Sequence, residues 1–122
     1  MKQKEMYIFL DRVKFYSRHG VGEQETVVGG IFVLSLRLQV DFWRATESDE
    51  LEYTVSYADV YAVVKQEMDI PSKLLEHVSG RIIKSLFSHF PAISKIELKL
   101  SKQNPPMGAD LDGAGVIINC DR

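Results

Sequence analysis

The sequence has little of the features that define several common protein classes. It holds one cysteine, Cys120, which cannot form an internal disulfide, so a reducing compartment is expected. Long hydrophobic runs are missing as well. The first apolar stretch, residues 6–10, stops at Asp11, far short of the roughly 18 residues that a membrane span needs, and it is short for a signal peptide. We therefore expect an unprocessed cytoplasmic protein that does not bind membranes.

An excess of one charge is also missing. The chain has 15 Lys and Arg residues against 17 Asp and Glu residues, for a formal net charge of −2. Proteins that bind nucleic acid through its phosphates carry a clear positive excess, so no nucleic-acid partner is expected. The three histidines lack metal-ligand spacing, and no phosphate-binding or dinucleotide motif is present. We expect neither a metal site nor a cofactor.

What the sequence does contain is enough apolar material for one core. With 122 residues and 45% hydrophobic composition, we expect a single domain over residues 1–122. Apolar and polar residues alternate strictly over residues 31–43, which predicts a long, half-buried strand. Residues 7–16 are rich in aromatic and β-branched side chains, and shorter alternations follow at 95–100 and 116–120. These segments predict three further strands, with the glycine-containing residues 20–30 as a loop.

Helical spacing replaces the alternation in the middle of the chain. Ser56 followed by Asp59 resembles a capping box, and an apolar stripe follows it, formed by Tyr57, Val60, Tyr61, Val64 and Met68. A second stripe over residues 75–87 ends before Pro91. The predicted order is strand, strand, helix, helix, strand, strand. This order indicates an α+β fold with a four-stranded antiparallel sheet and two helices on one face.

Such a sheet leaves two unpaired edges. Soluble proteins cover or pair exposed edges, and edge-to-edge closure into a ring of subunits would pair them. A monomer with charged edges is the alternative, and the residues alone leave both open.

Lys102 is the first candidate for chemistry. It continues the even-numbered apolar positions Ile96, Leu98 and Leu100, at the point where the strand meets residues 104–106. Strand-end lysines commonly reach solvent, but partial burial lowers the pKa of an amine and makes it usable as a base.

Three further positions have both a structural and a functional interpretation. Glu76 begins a predicted helix, where an acid is favoured by the helix dipole, but its carboxylate could also hold an amidine-like edge by two hydrogen bonds. Residues 54–57 enter the first helix, so Ser56 fits a cap and Tyr57 fits the core. Glu25 lies in the predicted loop, where acids are usually solvated.

Taken together and in order, these motifs resemble the dihydroneopterin aldolase family. The similarity rests on Phe15 to Gly20, Glu25, Asp49 to Asp59, Leu74 to His77, Ser101 to Pro106 and Asp112 to Val116. It implies the tunnelling fold and the cleavage of 7,8-dihydroneopterin in folate biosynthesis, without a metal or a lysine imine. It also implies a homo-octamer of two stacked four-membered rings with sites between subunits.

The same resemblance implies roles for named residues. Lys102 is expected as general base and acid, Tyr57 as a proton relay from the adjacent subunit, and Glu25 as a supporting acid near the trihydroxypropyl group. Glu76 is expected to anchor the pterin, with the pocket lined by Val21, Gly22, Thr54, Val55 and Leu75. Two alternatives stay open, namely an epimerase of dihydroneopterin or its triphosphate, and a noncatalytic pterin-binding scaffold.

Overall fold

One antiparallel sheet with two long helices packed on one face organises the chain. A computed structural model describes all residues, 1–122. Its elements are β1 (Tyr7–Ser17), α1 (Glu23–Val28), β2 (Gly30–Val40), α2 (Trp43–Ser48), a 3₁₀ turn (Leu51–Tyr53), α3 (Tyr57–Met68), α4 (Leu75–His89), β3 (Ile93–Lys102) and β4 (Ala114–Asp121). The strands lie side by side in the order β1-β2-β3-β4. The predicted α+β class, the four antiparallel strands and the two core helices are present.

The even-numbered face of the two central strands forms the floor of the core. Leu34 lies opposite Leu100, and Leu36 lies opposite Leu98, with all four side chains buried. Alternation places successive side chains on opposite faces, so the predicted apolar positions all point toward the helices. In the same register Phe32 pairs with Lys102, which puts an amine at the end of an otherwise apolar row.

Helix α3 begins where the sequence predicts and buries most of the predicted stripe. The Ser56 hydroxyl accepts a hydrogen bond from the Asp59 amide, and Val60, Val64 and Met68 are fully buried. Tyr57 was expected on the same buried face, and this expectation is wrong, since its side chain is 66% exposed. It is the first residue of the helix and lines an open cavity at the end of the core.

Two short helices interrupt the predicted order of elements. Helix α1 occupies the segment interpreted as a loop, and α2 begins at Trp43, where the second strand was expected to continue. The strand stops at Val40 because the Asp41 carboxylate accepts a hydrogen bond from the Trp43 amide at 3.1 Å and turns the chain. The order is therefore β, α, β, α, α, α, β, β rather than strand, strand, helix, helix, strand, strand.

The helices of this protein are short compared with a membrane-spanning helix. The longest helix, α4, has 15 residues, and none of the helices combines the length and the hydropathy that crossing a bilayer requires.

Candidate active site

Lys102 ends β3 with its side chain held at the edge of the core. Only 15% of that side chain is exposed, and its Nζ atom lies 5.7 Å from the centre of the Phe32 ring. Burial lowers the pKa of Lys102 from its ordinary value, because an ammonium loses hydration in an apolar site. Burial therefore favours the neutral amine, which is the form that can accept a proton. The sequence position left open whether this amine reaches solvent or is held at a pocket, and the structure shows the second.

Glu25 contacts Lys102 although 77 residues separate the two in the sequence. Its carboxylate forms an ion pair with the amine and also accepts a hydrogen bond from the Gly22 amide at 3.2 Å. Glu25 lies in helix α1, so the expectation that this segment is a loop is wrong. A side chain at Gly20 would overlap the Glu25 side chain, so a glycine there allows the carboxylate to approach.

The ion pair opens onto a cleft of about 450 Å³ at the end of the sheet. Its walls come from α1, the start of β2 and the segment after β3, and they include Gly30, Gln103 and Asn104 beside the pair. An amine, a carboxylate and an amide thus face one small space. Neither Glu76 nor Tyr57 lines this cleft.

Thr54, Val55 and Tyr57 line a second cavity of about 610 Å³. This cavity is largely apolar, with Phe9 and Leu51 among its other walls. Both of those side chains are more than half exposed, as is Tyr57. The residues expected around one pterin therefore lie on separate surfaces of one chain.

Glu76 and Leu75 begin α4, and neither residue lines either of these two cavities. Glu76 is exposed, and Leu75 is half-buried and packs against the core. Val21 and Gly22, expected as pocket walls, are both exposed in the turn before α1. The segment leading into α4 is tied to that turn, since the Gly20 amide donates to the Ser72 carbonyl at 3.0 Å.

His19 is a buried polar residue that the sequence did not single out as a site residue. It is 1% exposed, and its Nδ1 atom accepts a hydrogen bond from the Ser72 amide at 3.0 Å. Burial, together with the Arg81 and Lys102 charges, lowers the pKa of His19 to about 4, and a hydrogen bond with the Met68 backbone acts in the opposite direction. Its only signal in the sequence is its place before Gly20 in a motif already noted.

The depressed pKa of His19 predicts a loss of stability in acid. The unfolded chain takes up the proton near pH 6.5 and the folded chain near pH 4, so the contribution is complete above pH 6.5 and is lost as the pH falls toward 4. Denaturant titrations should show the free energy of unfolding falling about 3 kcal/mol further in the wild type than in His19→Asn over that interval. Equal pH dependence in the two proteins would contradict the assignment.

A partly buried amine beside a carboxylate, at the mouth of a cleft, is an arrangement suited to an enzyme that works by proton transfer. No group of three or more His, Cys, Asp or Glu side chains is placed to hold a metal ion. Comparison with known proteins identifies the family within this class of enzymes. The family model for dihydroneopterin aldolase matches residues 8–119.

Individual relatives agree with the family model. The dihydroneopterin aldolase of Staphylococcus epidermidis is 39% identical, covering 91% of this chain and 93% of the relative. The Streptococcus pyogenes enzyme is 34% identical, covering 94% and 98%. The solved structure of Escherichia coli dihydroneopterin aldolase with neopterin has the same fold, with a TM-score of 0.87 at 24% identity over 94% of this chain and 98% of that one. The chain belongs to the dihydroneopterin aldolase family, whose members are folate-pathway aldolases.

Proposed function

We propose that the protein cleaves 7,8-dihydroneopterin reversibly to 6-hydroxymethyl-7,8-dihydropterin and glycolaldehyde. The observation that carries this proposal is the Lys102 amine, partly buried and paired with Glu25 at the mouth of a cleft. Family membership supplies the substrate class, and the E. coli relative is solved with neopterin. We infer that residues 1–122 form one catalytic domain that works in the cytoplasm, without a metal or a covalent lysine imine.

The substrate itself supplies the electron sink for this reaction. Lys102, acting through a water molecule, removes the proton from the side-chain hydroxyl on the second carbon from the ring. The bond between the first and second side-chain carbons breaks, the second becomes the aldehyde carbon of glycolaldehyde, and the electron pair moves into the conjugated C=N bond of the pterin. The first carbon then takes up a proton, the C=N bond is restored, and this carbon stays on the pterin as its hydroxymethyl group. The protein therefore has to supply only positioning and proton transfer.

The remaining roles are those that the resemblance to the family implies. The exposed Glu76 carboxylate, at the start of α4, would hold the amino group and ring nitrogen of the pterin by two parallel hydrogen bonds. Glu25 would hold Lys102 in place and face the trihydroxypropyl group. Tyr57 would relay a proton to the first side-chain carbon. The pocket walls would come from Val21, Gly22, Thr54, Val55 and Leu75.

This set of residues requires a second subunit. Tyr57 and Lys102 face different cavities in one chain, and β1 and β4 each have one unpaired edge. Pairing those edges would close a ring and would also cover exposed apolar side chains such as Phe9 and Leu51. We therefore propose four-membered rings that stack in pairs into an octamer, with each site formed between neighbours.

Subunit mixing tests the shared site. Tyr57→Phe and Lys102→Ala should each have low activity, and mixing them while subunits exchange should restore roughly a quarter of the sites, since random pairing leaves that share intact. The control mixes Lys102→Ala with Glu25→Ala, because those two residues come from one chain and no intact site can form. Recovery in neither mixture would exclude a site shared in this way.

A turnover assay tests the reaction. Purified protein given 7,8-dihydroneopterin should release glycolaldehyde at the same rate with and without a chelator. Chromatography of the products distinguishes the alternatives, since an epimerase would accumulate the epimer, above all from the triphosphate, and a scaffold would return the substrate unchanged. Either of those outcomes would overturn the proposal.

A further inference from the structure

We propose that His19 is a positioning residue that fixes the segment carrying Glu76 relative to the strand carrying Lys102. This inference rests on the roles proposed above for those two residues. His19 itself is 1% exposed and does not reach the cleft, so it acts through the segments that it holds.

Two hydrogen bonds join the chain after β1 to the chain before α4. The Ser72 amide donates to His19 Nδ1 at 3.0 Å, and the neighbouring Gly20 amide donates to the Ser72 carbonyl at 3.0 Å. The amide and the carbonyl of Ser72 are therefore both hydrogen-bonded, to the successive residues His19 and Gly20. Because Nδ1 must accept, the imidazole is neutral with its proton on Nε2. We call this arrangement the His19–Ser72 clamp.

The far side of the clamp is also held. The Ser72 hydroxyl lies 2.7 Å from His77 Nδ1 in the first turn of α4 and accepts a hydrogen bond from Arg81 at 2.9 Å. Arg81 also donates to the Ile70 carbonyl at 2.7 Å. The residues that lead into α4 are therefore fixed on both sides, and Glu76 lies next to His77 in the turn that they fix.

The near side of the clamp reaches Lys102 through one aromatic ring. The His19 ring packs edge-on against Phe32, with centroids 5.1 Å apart and an interplanar angle of 78°. Phe32 is fully buried, pairs with Lys102 across the sheet and has the Lys102 amine 5.7 Å from its centre. His19 thus contacts both the segment before Glu76 and the residue against which Lys102 rests.

A pterin that contacts Glu76 at one end and Lys102 at the other is sensitive to the distance between these two side chains. Displacing a reacting group by about 1 Å can cost about 100-fold in rate. A displaced anchor would in the same way weaken the binding of the pterin. Loss of the Nδ1 acceptor would leave the Ser72 amide buried without a partner, and the segment would move to satisfy it. The expected effect is on pterin binding and KM, with a smaller effect on kcat.

The test compares two variants of the same shape. His19→Asn keeps an acceptor oxygen close to the position of Nδ1, whereas His19→Leu has the same branched shape and no acceptor. Both lose ring packing on Phe32, so a purely structural role would change their stability and leave their KM values alike. We expect the dissociation constant of 6-hydroxymethyl-7,8-dihydropterin to be about tenfold higher for His19→Leu than for His19→Asn. Equal constants would overturn the proposal.

A measurement on the wild type covers the case in which His19→Leu does not fold. Coupling between two sites is reciprocal, so bound pterin should slow hydrogen exchange at the Ser72 and Gly20 amides. Unchanged exchange at both amides would contradict the coupling. Glu76→Gln, measured in the same binding assay, distinguishes a failure of the anchor role of Glu76 from a failure of the positioning role of His19. If Glu76→Gln binds pterin normally, the anchor assignment fails; if it binds weakly while the two His19 variants bind alike, only the role of His19 fails.

Discussion

Replacement of Lys102 by alanine should lower kcat by about 100-fold or more, since positioned general acid–base groups contribute at least that factor. The side chain is held by burial and by Glu25 at the mouth of the cleft, and no other amine lines that cleft. The loss should fall mainly on kcat, because the proposed pterin anchor is on another segment. Steady-state kinetics with free dihydroneopterin measures both quantities.

Lys99→Ala is the matched control for this variant. Lys99 is on the same strand, three residues earlier, but its side chain is exposed on the opposite face of the sheet. It should keep wild-type turnover while losing the same charge. Turnover of Lys102→Ala equal to that of Lys99→Ala would exclude Lys102 as the proton-transfer group.

Glu76→Gln should raise the dissociation constants of substrate and product together by about 100-fold. The substitution removes the negative charge and one of the two acceptor oxygens that form the proposed hydrogen bonds. Glutamine keeps the length and shape of the side chain but replaces one acceptor oxygen with a donor. Since the ring is bound alike before and after cleavage, kcat should change much less than the affinity. Fluorescence titration with the product pterin measures the effect without turnover.

Glu47→Gln makes the same chemical change at an exposed helical position in α2. It should bind pterin like the wild type. If Glu76→Gln binds as tightly as Glu47→Gln, the pterin is not anchored by this carboxylate, and its orientation in the site would have to be set elsewhere.

Patterns among neighbouring residues in the sequence predicted most of the fold. The alternation in β2 and β3 predicted which side chains are buried, and the Ser56 hydroxyl predicted where α3 begins. These patterns failed where a polar side chain hydrogen-bonds to the backbone. The Asp41 carboxylate, for example, accepts a hydrogen bond from the Trp43 amide, and β2 ends there. They also failed for α1, because a helix of six residues with no buried side chain has too little apolar periodicity to be recognised.

The site was predictable to a smaller extent. The strand phase of Lys102 allowed either a solvated amine or one held at a pocket, and the low exposure of its side chain shows the second. The contact with Glu25 spans 77 residues, and no local pattern encodes it. The burial of His19 has the same origin, since its partner Ser72 is 53 residues away. The roles of Tyr57 and Glu76 came from resemblance alone and stay predictions.

A crystal structure of this protein with neopterin bound tests the central claim most directly. The account predicts one pterin in contact with both functional groups, with the Glu76 carboxylate paired to the amino edge of the ring and Lys102 near the side-chain hydroxyls, and with Tyr57 reaching it from a neighbouring subunit. A neopterin bound in a place where it touches only one of Lys102 and Glu76 would contradict the account.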